Sequence, residues 1–203
     1  MNTFGKCLNY EKSMQLKADH FYSMRFGCNP IRYDYNGYIG KTMQNKDIDI
    51  SLPVNGYKNG YCNISEKYRS FDYGDMMVEL YSNYEIKKQG WGMKGESDYV
   101  FYFTPKQTYI VNSDQLKDIT ERVHRRLFNN LQRSELLDKL IKLGSVDTTI
   151  QIYPYHDSTN ITLYKIPTLD EENNVKYNGI CYCITWEDLE KLGVEITKKP
   201  TIF

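Results

Sequence analysis

The run Asp47 to Leu52, DIDISL, alternates strictly between polar and apolar residues, and the turn dipeptides Asn55-Gly56 and Asn59-Gly60 follow directly after it. A period of two sends Ile48, Ile50 and Leu52 to one face of a strand and Asp47, Asp49 and Ser51 to the other. Asn-Gly favours tight hairpin turns, so Tyr61 to Arg69 should return antiparallel to the first strand. The chain is therefore expected to contain a hairpin with one apolar face and one face bearing carboxylates.

Composition points the same way: 19 tyrosines with alanine nearly absent favour strands over helices. Further strands are expected at Asp75 to Ser82, Asp98 to Phe103 and Thr108 to Val111, completing a meander of about five strands, a common sheet size. Ahead of it, Asn9 to Phe26 reads as a helix, with Met14, Leu16, Ala18, Phe21 and Phe26 at irregular helical spacings and Glu11 in the first turn, stopped by Gly27 and Pro30. After it, Leu116, Ile119, Val123, Leu127 and Leu131 recur at helical steps and are continued by Leu136, Leu137, Leu140 and Ile141. This predicts one helix, or a pair broken near Arg133-Ser134, over Ser113 to Leu143. Strands return at Thr149 to Tyr155, Ile161 to Ile166 and Gly179 to Thr185, with the acidic Asp170 to Asn178 as a solvated hairpin tip. Thr185 and Asp188 have capping-box spacing at the start of a last short helix. The expected class is α/β, a central mixed sheet flanked by helices, divided into residues 1–143 as a core with its following helix and 144–203 as a C-terminal α+β extension packed on it.

At 203 residues and 40% hydrophobic content the chain can bury a core, which argues against disorder. Lys and Arg total 26 and so do Asp and Glu, so no bulk basic field exists and any nucleic-acid contact must be a local patch. No apolar run approaches the ~20 residues of a membrane span, and Met1 to Asn9 lacks a signal-peptide apolar region, so a soluble, cytoplasmic protein is expected. Cys7, Cys28, Cys62, Cys181 and Cys183 show no CxxC spacing and read as reduced thiols. Cys181 and Cys183 with His156 do not form a recognisable ligand set, and buried apolar cysteines are the simpler reading.

The chemistry concentrates on the hairpin. Asp47 and Asp49 on one strand, Ser65 and Lys67 on the outward face of the next, and Glu79 on the third could converge at one end of a three-stranded meander. Phosphodiester hydrolysis needs oxygen ligands for a hard divalent cation and a positive group at the phosphate, and carboxylates with one lysine supply both. An ordinary solvated strand face would show the same alternation. With Glu11 on the first helix, Asp49 in DID and Lys67 in SEK, the pattern resembles the PD-(D/E)XK nuclease superfamily. The segments DIDISL, ISEKYRSFDYGDMMVELYSNYE, GWGMKGESDYVFYF and TYIVNSDQL look like small members carried by phages and mobile elements, over roughly Glu11 to Leu116.

The resemblance implies a restriction-endonuclease-like fold and hydrolysis of DNA with magnesium or manganese. Asp49, Glu79, Asp47 and Glu11 would be metal ligands, and Lys67 would position water and neutralise charge at the phosphate. Strict alternation, however, puts Ser65 where the family has an acid and turns Glu66 to the opposite face. Either a bulge brings Glu66 inward, or Glu79 supplies the carboxylate, or the site is inactive and the protein binds DNA or a host protein. Arg122, Arg125 and Arg126, with His124 and Arg133 nearby, form a possible DNA-facing patch. Asp118, Glu121, Glu135 and Asp138 are interleaved with them, as on any solvated helix face.

Overall fold

A computed structural model describes residues 3–34, 36–128, 134–152, 158–170, 172 and 174–201, with residues 3–9, 11, 58 and 134 described in their backbone alone. The protein is α/β, with one mixed and one antiparallel sheet flanked by helices. Among the described residues no helix is long and apolar enough to cross a membrane. The chain divides into two compact units, and the division does not fall at 143/144. One unit comprises residues 1–72, 96–112 and 196–203, and the other 73–95 and 113–195.

The first unit is built on a sheet of order β1-β2-β3-β6-β7-β11, with β1 at Ile31–Arg32, β2 at Ile50–Pro53, β3 at Tyr61–Tyr68, β6 at Tyr99–Phe103, β7 at Gln107–Asn112 and β11 at Ile196–Pro200. The predicted hairpin is present: Ile50 pairs with Ile64 and Leu52 with Cys62, antiparallel. On its other side β3 runs parallel to β6, so the chain must leave the sheet and return between them. Helix α1 (Thr3–Phe26) packs Met14, Ala18, Phe21 and Tyr22 against Ile50, Leu52, Cys62, Ile64, Phe101 and Phe103. Those four helix residues lie at i, i+4, i+7 and i+8, one stripe of a 3.6-residue period. Leu16, half a turn away from this stripe, is exposed, while Phe26, one turn beyond Tyr22, is partly exposed and sets its ring against Phe21, Tyr22 and Phe101. The helix ends at Gly27, whose positive φ lets its N–H turn back to the Ser23 carbonyl.

The second unit carries an antiparallel sheet of order β5-β4-β10-β9-β8: β4 at Asp75–Asn83, β5 at Lys88–Gln89, β8 at Ser145–Gln151, β9 at Ser158–Leu169 and β10 at Val175–Thr185. Here the expectation of one continuous meander is corrected. The strand at Asp75 to Ser82 forms as predicted, but pairs with β10 about a hundred residues later and not with β3. Its buried Met76, Val78 and Leu80 belong with Ile180, Tyr182 and Ile184 of β10. Helices α3 (Trp91–Lys94) and α4 (Ser113–Phe128) lie on this unit. The short helix approaches β4 so closely that a Cβ on Gly92 would sit 2.3 Å from Val78 Cγ1. Leu116, Ile119, Val123 and Leu127 are the buried stripe of α4, and Thr120 links it to the Tyr182 hydroxyl at 2.9 Å.

Helix α5 (Ser134–Leu143) follows α4 as the second of the expected pair; the break between them, with Leu131 and Arg133, lies outside the described residues. So do the last residues of the strand expected at 149–155, and His156 with them. Strands β9 and β10 extend beyond their expected ends, which narrows the acidic hairpin tip to about Asp170 and Asn174, where Asp170 Oδ1 accepts from the Asn174 N–H at 2.8 Å. Helix α6 (Trp186–Lys191) starts as predicted, with Thr185 Oγ1 accepting from the Asp188 N–H at 3.1 Å.

Candidate functional site

The approach to β2 differs from a plain strand. Helix α2 (Tyr38–Asn45) ends at Lys46, and Asp47 takes a left-handed conformation with φ +56°, which Asp tolerates better than most residues. The reversal delivers Ile48 to the core and lets the Asp49 N–H pair with the Ile64 carbonyl at 2.9 Å. Ile48, Ile50 and Leu52 are all buried, as the alternation requires.

Between them the two aspartates reach three consecutive residues of β3. Asp47 accepts from Ser65 Oγ through Oδ2 at 2.6 Å and from Lys67 Nζ through Oδ1 at 2.9 Å. Asp49 Oδ2 accepts from the Glu66 N–H at 2.7 Å, standing in for a backbone carbonyl just beyond the end of β2. The Asp47–Lys67 pair keeps side-chain exposures of 14% and 20%, so it is shielded but open to solvent. Farther along the same face, Ser51 Oγ lies 2.6 Å from the Tyr33 hydroxyl and donates to Asn63 Oδ1, also at 2.6 Å.

Glu66 lies on the other face. Pairing of β3 with both neighbours runs without a register shift, so no bulge turns this carboxylate toward Lys67. It is buried instead against α1 and β1, accepting from the Tyr22 hydroxyl at 3.0 Å and from Arg32 at 2.6 and 3.2 Å. Arg32 also donates to Asp19 Oδ1 at 2.8 Å and to the Gln15 carbonyl. Burial raises the Glu66 carboxyl, opposed by the hydrogen bonds and charge of Arg32. Burial likewise works against the Arg32 charge, but Glu66 and Asp19 overcome it and hold the guanidinium protonated. The Tyr22 phenol is pushed well up by burial and by the neighbouring Glu66. The structural partners Tyr22, Asp19 and Arg32 left no local sequence signal, since they meet only when α1 and β1 pack beside β3.

Glu79 sits on β4 in the other unit. Its Oε2 accepts from the Trp91 N–H at 3.3 Å, and it lies opposite Cys181, whose thiol is pushed up by burial and by the Glu79 charge. The structure therefore gathers Asp47, Asp49, Ser65 and Lys67 in one unit and assigns Glu66 to a separate buried ion pair and Glu79 to a separate sheet. Glu11 lies on α1, with its side chain outside the description. Of the basic helix residues, Arg122 pairs with Asp118 one turn earlier at 2.8 Å, Arg125 is exposed and Arg126 is half-buried. Cys181 and Cys183 are buried side by side on one face of β10.

Among the described residues no group of three or more His, Cys, Asp and Glu side chains is arranged to hold a metal. Asp47 and Asp49 still provide hard oxygen ligands from two side chains. Magnesium is commonly bound through one or two carboxylates plus waters and substrate phosphate; here both Asp47 oxygens and Asp49 Oδ2 already accept from Ser65, Lys67 and the Glu66 N–H. No family model matches the chain, and neither curated proteins nor solved structures give a significant match.

Proposed function

We propose that this protein is a divalent-metal-dependent nuclease of restriction-endonuclease-like architecture, acting on DNA through Asp47, Asp49 and Lys67. One observation carries the reading: two carboxylates from the start of β2 reach residues 65–67 of β3 on the face that bears the lysine. The mixed sheet, antiparallel from β1 to β3 and parallel from β3 to β6, supports it. Magnesium or manganese, when bound, would supply Lewis-acid polarisation of the phosphate and an activated water. Asp47 and Asp49 would be its protein ligands, which requires Asp47 to release Ser65 or Lys67. Where Lys67 is the partner released, its ammonium would stand where charge develops on the phosphate oxygens. Glu66 enters as a structural anchor that holds β3 against α1, and Glu79 has no part in a centre confined to the first unit.

The test joins a binding and an activity measurement. Manganese should raise the melting temperature of the wild type, the rise should vanish in Asp49→Ala, and DNA cleavage should require the cation and disappear in Lys67→Ala with the fold retained. A second reading is favoured by Ser65 standing at the position of the expected acid and by Asp47 being neutralised by Lys67. On that reading the nuclease-like unit is catalytically inert and binds DNA or a host protein. Intact single-stranded, duplex and branched DNA at high protein concentration with either metal, together with an unchanged melting temperature, would establish it over the first.

A further inference from the structure

Two sheets leave four edges among the described residues, and at three of them the outermost strand is poorly suited to further pairing. Strands β1 and β5 are two residues each, too short to template another strand. Strand β11 ends in Lys198-Lys199-Pro200, the charge and proline protection typical of managed edges. The fourth edge, β8, is seven residues of SVDTTIQ with no proline, no lysine and one acid. Among the described residues no strand pairs with its outer side.

The direction of its free backbone groups follows from the ladder. Lys165 N–H donates to the Gly144 carbonyl at 2.8 Å, so even-numbered positions face β9 and the N–H and C=O groups of Ser145, Asp147, Thr149 and Gln151 face outward. We propose that β8 joins β8 of a second copy of this chain, antiparallel across a two-fold axis at Thr148, making one continuous sheet of the two.

The strand is complementary to itself in that register. Centring on Thr148 is the only choice that pairs all seven residues. It sets Asp147 opposite Thr149, Val146 opposite Ile150, Ser145 opposite Gln151 and Thr148 opposite its own copy. The outward-facing residues then form the hydrogen-bonded pairs, giving about eight main-chain bonds across the axis. Val146, half-buried at the edge of the apolar face, gains Ile150 of the second copy as an apolar neighbour, half-buried Thr148 meets its own copy, and no like charges stand directly opposite one another. Shifting the centre by one residue to Asp147 would bring two carboxylates face to face. An isologous contact of this kind closes at two copies and does not propagate into a fibre.

The test is the oligomeric state of the full chain by sedimentation, with variants that address the register. The wild type should show a concentration-dependent monomer–dimer equilibrium. Thr149→Asp places two like-charge pairs across the axis and should raise the dimer dissociation constant by about tenfold. The double variant Asp147→Lys with Thr149→Asp makes those pairs opposite in sign and should restore the wild-type constant or improve it. Circular dichroism melts of both variants at monomeric concentration should stay within a few degrees of the wild type per substituted residue, since these side chains are exposed and each makes one cross-strand bond, Asp147 to Thr162 and Thr149 to Asn160. A wild type that stays monomeric at its highest soluble concentration, or a dimer indifferent to Thr149→Asp, overturns the proposal.

Discussion

Removing Arg32 isolates Glu66 in the first unit, and the consequence can be worked out. The Glu66 side chain is 2% exposed and that of Arg32 25%, so Arg32→Met strands a carboxylate that water reaches only through the space Arg32 vacates. Breaking a buried ion pair from one side costs about 3–5 kcal/mol, and partial solvent entry at this half-open site lowers the expectation to about 2–4 kcal/mol. For a chain of this size that corresponds to a fall in melting temperature of roughly 5–15 °C. Asp19 also loses a partner, but at 37% exposure it rehydrates.

The loss should carry a pH signature. Without Arg32 the largest opposition to the rise that burial imposes on Glu66 is gone, so the folded state binds a proton more tightly than the unfolded one. Stability is then retained near and below the ordinary glutamate value of 4.5 and declines as pH rises through the elevated folded value. Adding Glu66→Gln removes the charge while leaving an acceptor for Tyr22, and should recover most of the loss and flatten the pH dependence. The assay is chemical and thermal denaturation by circular dichroism between pH 4.5 and 8 on the wild type, the single and the double variant. A single variant that loses less than 1 kcal/mol at every pH would refute the assignment of Glu66 and Arg32 as a buried pair.

His124 is held below its ordinary value of 6.5 by burial, with its Nε2 2.6 Å from the Tyr81 hydroxyl. The unfolded chain takes up a proton first as pH falls below 6.5, so stability from this site is full above that pH and is lost below it, and His124→Asn should flatten a melting-temperature profile from pH 7.5 to 5. Gly90→Ala places a Cβ 2.5 Å from the Glu79 carbonyl oxygen, and the backbone must move, so urea denaturation should show a loss of about 1–3 kcal/mol. If α4 contacts DNA, replacing Arg122, Arg125 and Arg126 together by Ala should weaken binding and flatten its salt dependence in fluorescence titrations while the manganese effect on melting persists; unchanged affinity and slope mark the helix as a solvated face.

Local pattern was sufficient wherever one short stretch of chain decides its own state. The period of two over Ile48, Ile50 and Leu52, the Asn-Gly turns behind the β2–β3 hairpin, the buried stripe from Leu116 to Leu127 and the Thr185 cap each depend on neighbours within a few residues. The same pattern placed Asp47, Asp49 and Lys67 on one face and Glu66 on the other. Partner choice was decided by tertiary structure alone. Strand β4 was recognisable as a strand, yet a hydrogen-bonding ladder carries no address, and its apolar face is satisfied by β10 and by the close approach of α3. Strand β11 returns from the far end of the chain to β7, which places the unit boundaries away from any compositional seam. The left-handed turn at Asp47 and the Arg32 partner of Glu66 belong to the same class. A carboxylate on a strand face reads alike whether it awaits a cation, a lysine or a guanidinium, and the fold determines which charge is brought beside it.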